Sequence, residues 1–348
     1  MPMRPLTLLI MSTLPFSVVA CDATSSTTSG DGDPQPDAAS SPDAPTPDQL
    51  GTVTTVSATC QRGPGRLPNT TCRTLRVSCP RIDPIDVEVR VTEPAIARGT
   101  VIFGSGGSGK GFSYDEAPLM DALVTRGFRL VQRGWLGDGW LANAEGTGLA
   151  ASACRYATLA HWVRDEYASG PLCITGNSGG AAEIGMALTR WNLDSIVTQA
   201  LPSSGPGTAR MDQSCAADPA WRSECATLSA PSATTPACTY ADNGLDGLID
   251  QAWTPETPCT TGGVARHMQL LEDSALAPAA DLSLGAMRLD VLLGAGDPMA
   301  TFVQGRLFAA GVTAGELHEV ILADTGHAVP ESVNGAAALV DRLTDGCR

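Results

Sequence analysis

From residue 51 onward, hydrophobic positions fall into short runs that alternate between strand-like and helix-like spacing. Apolar and β-branched runs predict strands at 74–77, 86–91, 100–103, 129–132, 171–175, 196–201, 289–293 and 317–322. Helical periodicity predicts helices at 117–126, 151–167, 181–191 and 336–343. Strands that alternate with helices predict an α/β fold, with a mostly parallel central sheet and helices on both faces.

The first fifty residues differ from the rest of the chain. Residues 1–20 are typical of an export signal, with Arg4 before an interrupted apolar stretch. Val18-Val19-Ala20-Cys21 resembles a bacterial lipobox, so we expect lipid on Cys21, with plain signal cleavage near Ala20 as the alternative. Residues 21–50 are acidic and rich in Pro, Ser and Thr, which predicts a disordered tether before a domain at 51–348. These features predict an exported protein, either a membrane-anchored lipoprotein of the cell envelope or an extracellular one.

Charge and cysteine content narrow the choice of partners. The net charge is −15 and Lys110 is the only lysine, so nucleic acid is not an expected partner. Eleven cysteines leave an even ten once Cys21 is set aside, and an exported chain of this kind is expected to form disulfides. Their spacing does not resemble that of a zinc site, and we expect no metal-thiolate centre.

A nucleophile motif follows the apolar run at 171–175. Gly176-Asn177-Ser178-Gly179-Gly180 matches G-x-S-x-G and opens the helix predicted at 181–191. Small residues permit the sharp turn that raises a serine oxygen above a sheet. Ser178 is therefore the candidate nucleophile.

A serine hydroxyl needs a base, and the base needs an acid that orients it. His327 follows the strand predicted at 317–322, whereas His161, His267 and His318 lie within predicted helices and a strand. Asp297 lies near the end of the stretch 291–298, where a predicted strand runs into a turn. An Asp-Pro turn alone would also account for an aspartate at this position. Asp290 and Asp324 are poorer candidates because one begins a strand and the other is nearly adjacent to His327.

With the order Ser178, Asp297, His327, residues 70–348 resemble the α/β-hydrolase superfamily. Two further stretches agree: 101–107 resembles the strand and oxyanion loop of that family, and 132–135 its Arg-Gly turn. The resemblance implies an oxyanion hole formed by the backbone N–H of Gly179 and one from Ser105, Gly106 or Gly107. Phe103 and Asn177 depart from residues common in the family and leave the subfamily open.

Two other motifs suggest ligands. Residues 104–110 fit the start of a phosphate-binding loop, but Gly111 stands where the magnesium-binding Ser or Thr belongs, which argues against nucleotide binding. Asp242, Asp246 and Asp250 have part of the spacing of a calcium loop. An acidic surface turn is the favoured interpretation of these aspartates, and a structural calcium site is the alternative. No other cofactor is expected.

The stretch 202–288 is much longer than a single crossover helix requires, which predicts a lid inserted over the active-site edge of the sheet. The simplest local disulfides within it pair Cys215 with Cys225 and Cys238 with Cys259. Trp221 and Trp253 would then be candidates for the substrate pocket, although ordinary packing explains either one alone.

The leading prediction is a serine hydrolase that cleaves carboxylic esters, of small molecules or of a polymer, through an acyl-enzyme. A peptidase or amidase with the same triad is the alternative within this class. From another class, a surface lipoprotein with a hydrolase fold and no activity could act as a binding module.

Overall fold

The computed structural model describes residues 50–112, 118–167, 170–216, 218–261 and 263–348. The predicted export signal, nearly all of the predicted tether and Cys21 lie outside these residues. Among the described residues, nine strands form one sheet: β1 (Thr52–Ser57), β2 (Thr70–Ser78), β3 (Ile85–Thr92), β4 (Gly99–Gly104), β5 (Phe128–Trp135), β6 (Leu172–Asn177), β7 (Gln199–Ser203), β8 (Arg288–Gly294) and β9 (Glu316–Leu322).

The helices lie in the connections from β4 onward, and the last of them follows β9. They are α1 (Pro118–Thr125), α2 (Leu149–Ser152), α3 (Cys154–Tyr167), α4 (Gly179–Trp191), α5 (Met211–Ala216), α6 (Pro219–Leu228), α7 (Asp246–Asp250), α8 (Pro258–Thr261), α9 (His267–Glu272), α10 (Ala300–Gly311) and α11 (Val333–Gly346). No helix in the described ranges is both long enough and apolar enough to cross a membrane.

The strand order is β1-β2-β3-β5-β4-β6-β7-β8-β9. The strands from β5 to β9 in that order run parallel, and β1, β2 and β3 pair antiparallel at one edge. Because parallel strands share a direction, the loops after β4, β6, β8 and β9 leave the same edge of the sheet. The mostly parallel sheet predicted from the sequence is confirmed.

Alternate residues of the central strands point into two apolar cores, one on each face of the sheet. Ile102 of β4 packs in the core with α3, α4 and α10, whereas its neighbours Val101 and Phe103 pack in the core with α1 and α11. All three side chains are buried. This arrangement confirms the prediction of helices on both faces.

Two elements lack the sequence pattern that would predict them. Strand β1 reads Thr-Val-Thr-Thr-Val-Ser and has no buried residue, so it shows no apolar face. Helix α10 is the opposite case. Its own apolar and small residues occur on nearly all of its sides, and most of them are buried, so it shows no clear amphipathic pattern. Strand β7 begins at Gln199 and not at residue 196 as predicted, because Ile196 ends a short 3₁₀ helix and its backbone N–H donates to the carbonyl of Leu193.

The long connection between β7 and β8 contains α5, α6, α7, α8 and α9. The predicted pairing of its cysteines is wrong: Cys215 pairs with Cys259, and Cys225 pairs with Cys238. The reason is that α5 packs against α8, which brings Cys215 to Cys259, while the chain after α6 turns back and brings Cys238 to Cys225. The insertion therefore has one disulfide nested inside another.

The other three disulfides join Cys60 to Cys72, Cys79 to Cys154, and Cys173 to Cys347. All three lie in the main domain, so the disulfides of the insertion and those of the sheet do not mix. Disulfides on both parts of the chain are typical of proteins that fold in an oxidising compartment.

We expect proteolysis without reduction to release the peptide of Cys215 linked to that of Cys259, and the peptide of Cys225 linked to that of Cys238. Mass spectrometry of the linked peptides, with a reduced and alkylated digest as control, measures this. A peptide that links Cys215 to Cys225 would contradict the nested arrangement.

Candidate active site

Ser178 lies in a sharp turn between strand β6 and helix α4. Its backbone has φ 55° and ψ −112°, a conformation that a residue with a side chain adopts at a steric cost. The side chain thereby leaves the plane of the sheet at the carboxyl end of β6. Its backbone N–H donates to the carbonyl of Ser203 at 2.8 Å, which fixes the turn to β7.

Glycines around Ser178 let two backbone segments approach closely. A Cβ atom added to Gly179 would lie 1.9 Å from the carbonyl oxygen of Gly107 and 2.7 Å from its amide nitrogen. A Cβ added to Gly176 would lie 2.8 Å from the carbonyl carbon of Gly180. Because no side chain fits these gaps, the loop after β4 lies directly against the turn at Ser178.

His327 and Asp297 form a hydrogen-bonded pair on neighbouring loops. Asp297 follows β8 and is 1% exposed, and His327 follows β9 with its side chain 27% exposed. The His327 Nδ1 lies 2.9 Å from Asp297 Oδ2, while Asp297 Oδ1 accepts the backbone N–H of Met299 at 2.9 Å. Both carboxylate oxygens are thus engaged, and the histidine ring is oriented through Nδ1.

Two consecutive serines connect the turn at Ser178 to the loop of His327. The carbonyl of Ser203 accepts the N–H of Ser178, and the hydroxyl of Ser204 donates to the carbonyl of His327 at 2.6 Å. The N–H of Gly296 donates to the carbonyl of Thr325 at 2.9 Å and joins the loops of Asp297 and His327. The loops that bear all three predicted site residues are therefore connected by hydrogen bonds.

Ser178 borders a small cavity of about 60 Å³. Gly107 and Gly179 lie on its wall, and the insertion contributes Tyr240, Leu245, Leu248 and Ile249. The other lining residues are Trp140, Leu141, Leu149, Ala182, Gly207, Thr208 and Thr301. The wall is therefore mostly apolar, and it combines the loop after β4, helix α4 and the insertion.

A buried ion pair is hydrogen-bonded to the loop at 104–111. Arg133 of β5 donates to Glu183 of α4, to the hydroxyl of Ser105 at 3.0 Å and to the carbonyl of Gly109 at 3.1 Å. The indole N–H of Trp135 donates to the other oxygen of Glu183 at 2.6 Å. Burial raises the pKa of the Glu183 carboxyl to about 7, and the charge of Arg133 and both hydrogen bonds oppose that rise. The guanidinium thus fastens the loop to the helix that begins after Ser178.

Some predicted residues do not border the cavity, although Gly106 is close to Ser178, since a Cβ added to it would lie 3.6 Å from the Ser178 Cβ. Among the described residues that border it there is no Ser105, whose hydroxyl donates to the carbonyl of Gly111, and no Gly106. Trp221 and Trp253, the predicted pocket candidates, are also absent from this wall. Trp221 is buried and donates to the carbonyl of Cys238 within the insertion, and Trp253 is buried in a short 3₁₀ helix.

The other three histidines lie elsewhere. His161 is on α3, His267 lies 3.3 Å from the Asp212 carboxylate, and His318 faces Glu316 across 3.7 Å. Asp290 accepts from Arg288, Arg342 and Gln199, and these bonds hold the pKa of its carboxyl below the usual range despite its burial.

The aspartates of the calcium-like motif point to separate partners. Asp242 accepts the backbone N–H of Thr239 at 2.9 Å, and Asp250 accepts those of Cys259 and Thr260 at the start of α8. Asp246 begins α7. In the part of the chain that the structure describes, no group of three or more His, Cys, Asp or Glu side chains is arranged to hold a metal ion.

No protein-family model matches the chain, and a search of curated protein sequences found no relative. Among solved structures, the chain resembles acetyl xylan esterase 1 from Thermoanaerobacterium sp., with a TM-score of 0.51 and 14% identity over 86% of this chain and 90% of that one. It is also similar to mouse alpha/beta hydrolase domain-containing protein 10, with a TM-score of 0.48 and 12% identity over 78% and 96%. Carboxyl esterase 2 of the fungus Tuber melanosporum is similar with a TM-score of 0.47 and 12% identity, over 82% of this chain and 89% of that one. The chain has the α/β-hydrolase fold, as its motifs predict.

Several residues of the site carry no sequence motif. Ser203 ends strand β7 and Ser204 follows it without any recognisable pattern, and Trp140 lies in a loop. Glu183 can be recognised in the sequence, because it is an acidic residue among the apolar residues of α4. A buried charge requires a partner. Arg133 is that partner. The predicted Arg-Gly turn at 132–135 is wrong in its placement, because these residues form the last part of strand β5.

At about pH 8.5, above the pKa of Glu183, the Arg133–Glu183 pair is charged. Glu183→Gln leaves the Arg133 charge buried and unpaired, so we expect the free energy of unfolding to fall by about 3–5 kcal/mol. Urea unfolding followed by tryptophan fluorescence measures the loss. The matched control is Glu166→Gln, which breaks an exposed pair with Arg73 and should cost less than about 1 kcal/mol. Equal losses in the two variants would contradict the role given to the buried pair.

Proposed function

We propose that this protein is a serine hydrolase that cleaves carboxylic esters through an acyl-enzyme. The observation that supports it best is the bonded pair of His327 and buried Asp297, tied through Ser203 and Ser204 to the strained turn of Ser178. Nucleophilic acyl transfer requires a serine and a base that a buried acid orients, and here the loop of the base is hydrogen-bonded through Ser203 and Ser204 to the turn of the serine.

In the proposed reaction, Ser178 Oγ attacks the ester carbonyl carbon while His327 Nε2 takes the hydroxyl proton. Asp297 keeps the other ring proton on Nδ1 and stabilises the imidazolium that forms. The negative charge on the former carbonyl oxygen is stabilised by the backbone N–H groups of Gly179 and Gly107. Collapse of this intermediate breaks the bond to the alcohol oxygen, which receives the proton from His327.

Water completes the cycle. His327 removes a proton from the water, the hydroxide attacks the acyl carbon, and the bond to Ser178 Oγ breaks as the serine regains its proton. Carboxylic acid and free enzyme result. The order is the same for an amide, but an amide has a poorer leaving group, so ester hydrolysis is the activity proposed.

The insertion between β7 and β8 is proposed to act as the lid of this site. Its residues Tyr240, Leu245, Leu248 and Ile249 border the cavity beside Ser178, and the nested disulfides brace it. An apolar wall that excludes water strengthens the electrostatic interactions within the site.

Ser178→Ala should lower kcat for p-nitrophenyl acetate by at least about 10⁴-fold, because the hydroxyl forms the covalent bond. His327→Ala should lower kcat to a similar extent, and the double variant should be little worse than either single one, since the residues act as a unit. Steady-state assays of the folded variants measure this. The control Ser195→Ala changes a serine on an exposed turn and should leave kcat unchanged. Full activity of Ser178→Ala would contradict the proposal. So would a loss of kcat in the double variant equal to the product of the losses in the two single variants.

We further propose that the protein is exported and held at a membrane by lipid on Cys21. The ten cysteines of the described residues form five disulfides, which is typical of an oxidising compartment. The lipobox-like residues before Cys21 and the acidic, Pro-rich stretch after it give the form of an anchored domain on a tether.

Cys21→Ser should move the protein from the membrane fraction to the soluble fraction of a bacterial host, because no acceptor for lipid remains. Ser26→Ala in the same stretch is the control and should stay with the membranes. Fractionation followed by immunoblotting measures the partition. An unchanged membrane share for Cys21→Ser, or a mature N-terminus elsewhere, would rule the anchor out.

A further inference from the structure

The cavity beside Ser178 is mostly apolar, yet three of its lining residues carry buried polar atoms without a hydrogen-bond partner. These atoms are Trp140 Nε1, Thr208 Oγ1 and Thr301 Oγ1, and the residues are 1%, 1% and 5% exposed. A buried polar group without a partner costs about 1–3 kcal/mol. Three such groups around one small cavity therefore point to a ligand that satisfies them.

A fourth polar side chain on the same wall shows the contrast. The Tyr240 hydroxyl donates to the carbonyl of Gly207, so its hydrogen-bonding need is already met within the protein. Burial also raises the pKa of Tyr240, which keeps its hydroxyl neutral. The side-chain groups on the cavity wall that lack a hydrogen-bond partner are therefore those of Trp140, Thr208 and Thr301.

The backbones that carry these three groups are held in place. The N–H of Trp140 donates to the carbonyl of Ser108 at 3.0 Å, and its own carbonyl accepts from buried Arg155 at 2.7 Å. The carbonyl of Thr208 accepts the N–H of Ala275 at 2.9 Å. Thr301 is near the start of α10, with its Cγ2 2.9 Å from where a Cβ on Gly207 would lie. Fixed groups of this kind lose little entropy when a ligand binds.

The position of His327 indicates which part of an ester this cavity receives. His327 must reach the alcohol oxygen to protonate it, yet it is absent from the described residues that border the cavity. Gly107 and Gly179, the proposed oxyanion donors, do border it. The cavity therefore takes the acyl side, and about 60 Å³ admits an acyl chain of only a few carbons.

Resting on the proposed function, we propose that the preferred substrates are esters of short hydroxy acids. An indole N–H only donates, so Trp140 requires an oxygen acceptor on the acyl chain. A threonine hydroxyl both donates and accepts, so Thr208 and Thr301 can bond to an acyl hydroxyl in either sense. The aliphatic residues of the wall, such as Leu248, cover the carbon atoms of the chain.

The test compares p-nitrophenyl 3-hydroxybutyrate with p-nitrophenyl butyrate, which differ by one hydroxyl on a four-carbon chain. The measured quantity is the ratio of their kcat/KM values divided by the ratio of their rates of alkaline hydrolysis. We expect the wild-type protein to favour the hydroxylated ester at least about tenfold by this measure, because a site that bonds a hydroxyl discriminates strongly against its absence.

Thr208→Val, Thr301→Val and Trp140→Phe each remove one polar atom at nearly constant shape. Each should lower the corrected ratio by about three- to tenfold, as expected for the loss of one hydrogen bond to the substrate. Thr227→Val is the matched control, since Thr227 is exposed on α6 and should leave the ratio unchanged.

The outcomes separate the two proposals. If the wild-type protein hydrolyses butyrate and the corrected ratio is near one, the inference is overturned and the esterase function stands. A preference that none of the three variants reduces also overturns the inference. If the wild-type protein hydrolyses neither ester, the proposed function fails, and the inference fails with it.

Discussion

The backbone of Ser178 is the constraint on which the rest of the site depends. Its positive φ is unfavourable for any residue with a side chain, and it persists only because β6, α4 and the loop after β4 enclose it. These segments can lie this close only because position 179 is a glycine, since a Cβ on Gly179 would overlap the carbonyl oxygen of Gly107. The ion pair of Arg133 and Glu183 then holds that loop against α4. Strain at one residue is thus balanced by packing and electrostatics that extend across three elements.

Most of the fold could be predicted from the sequence because its central strands are short apolar runs separated by helices. Two of the elements that escaped prediction lack that contrast: β1 has no buried residue, and most residues of α10 are buried. Ser178, Asp297 and His327 were recognisable because each ends or follows a strand at the same edge of the sheet, and that edge is where parallel strands gather functional loops. Their catalytic roles stay predictions.

The cavity beside Ser178 could not be predicted in the same way. Its wall combines Trp140 from one loop, Thr301 from α10 and Tyr240 from the insertion, and only the folded chain brings them together. Trp221 and Trp253 do not border this cavity, and both side chains are buried, in line with the ordinary packing that the sequence also allows for each of them. Cysteine spacing favours short loops, but the packing of α5 on α8 decides which cysteines meet.

Whether Ser178 is an activated nucleophile can be measured as the site at which the protein reacts with a fluorophosphonate. The folded protein is treated with the reagent, digested and mapped by mass spectrometry. An activated nucleophile at Ser178 predicts one phosphonylated residue, Ser178 itself, and strongly slowed labelling in Asp297→Asn, because the amide cannot orient His327 as the carboxylate does. Labelling of another serine, or no labelling of the folded protein, would contradict it.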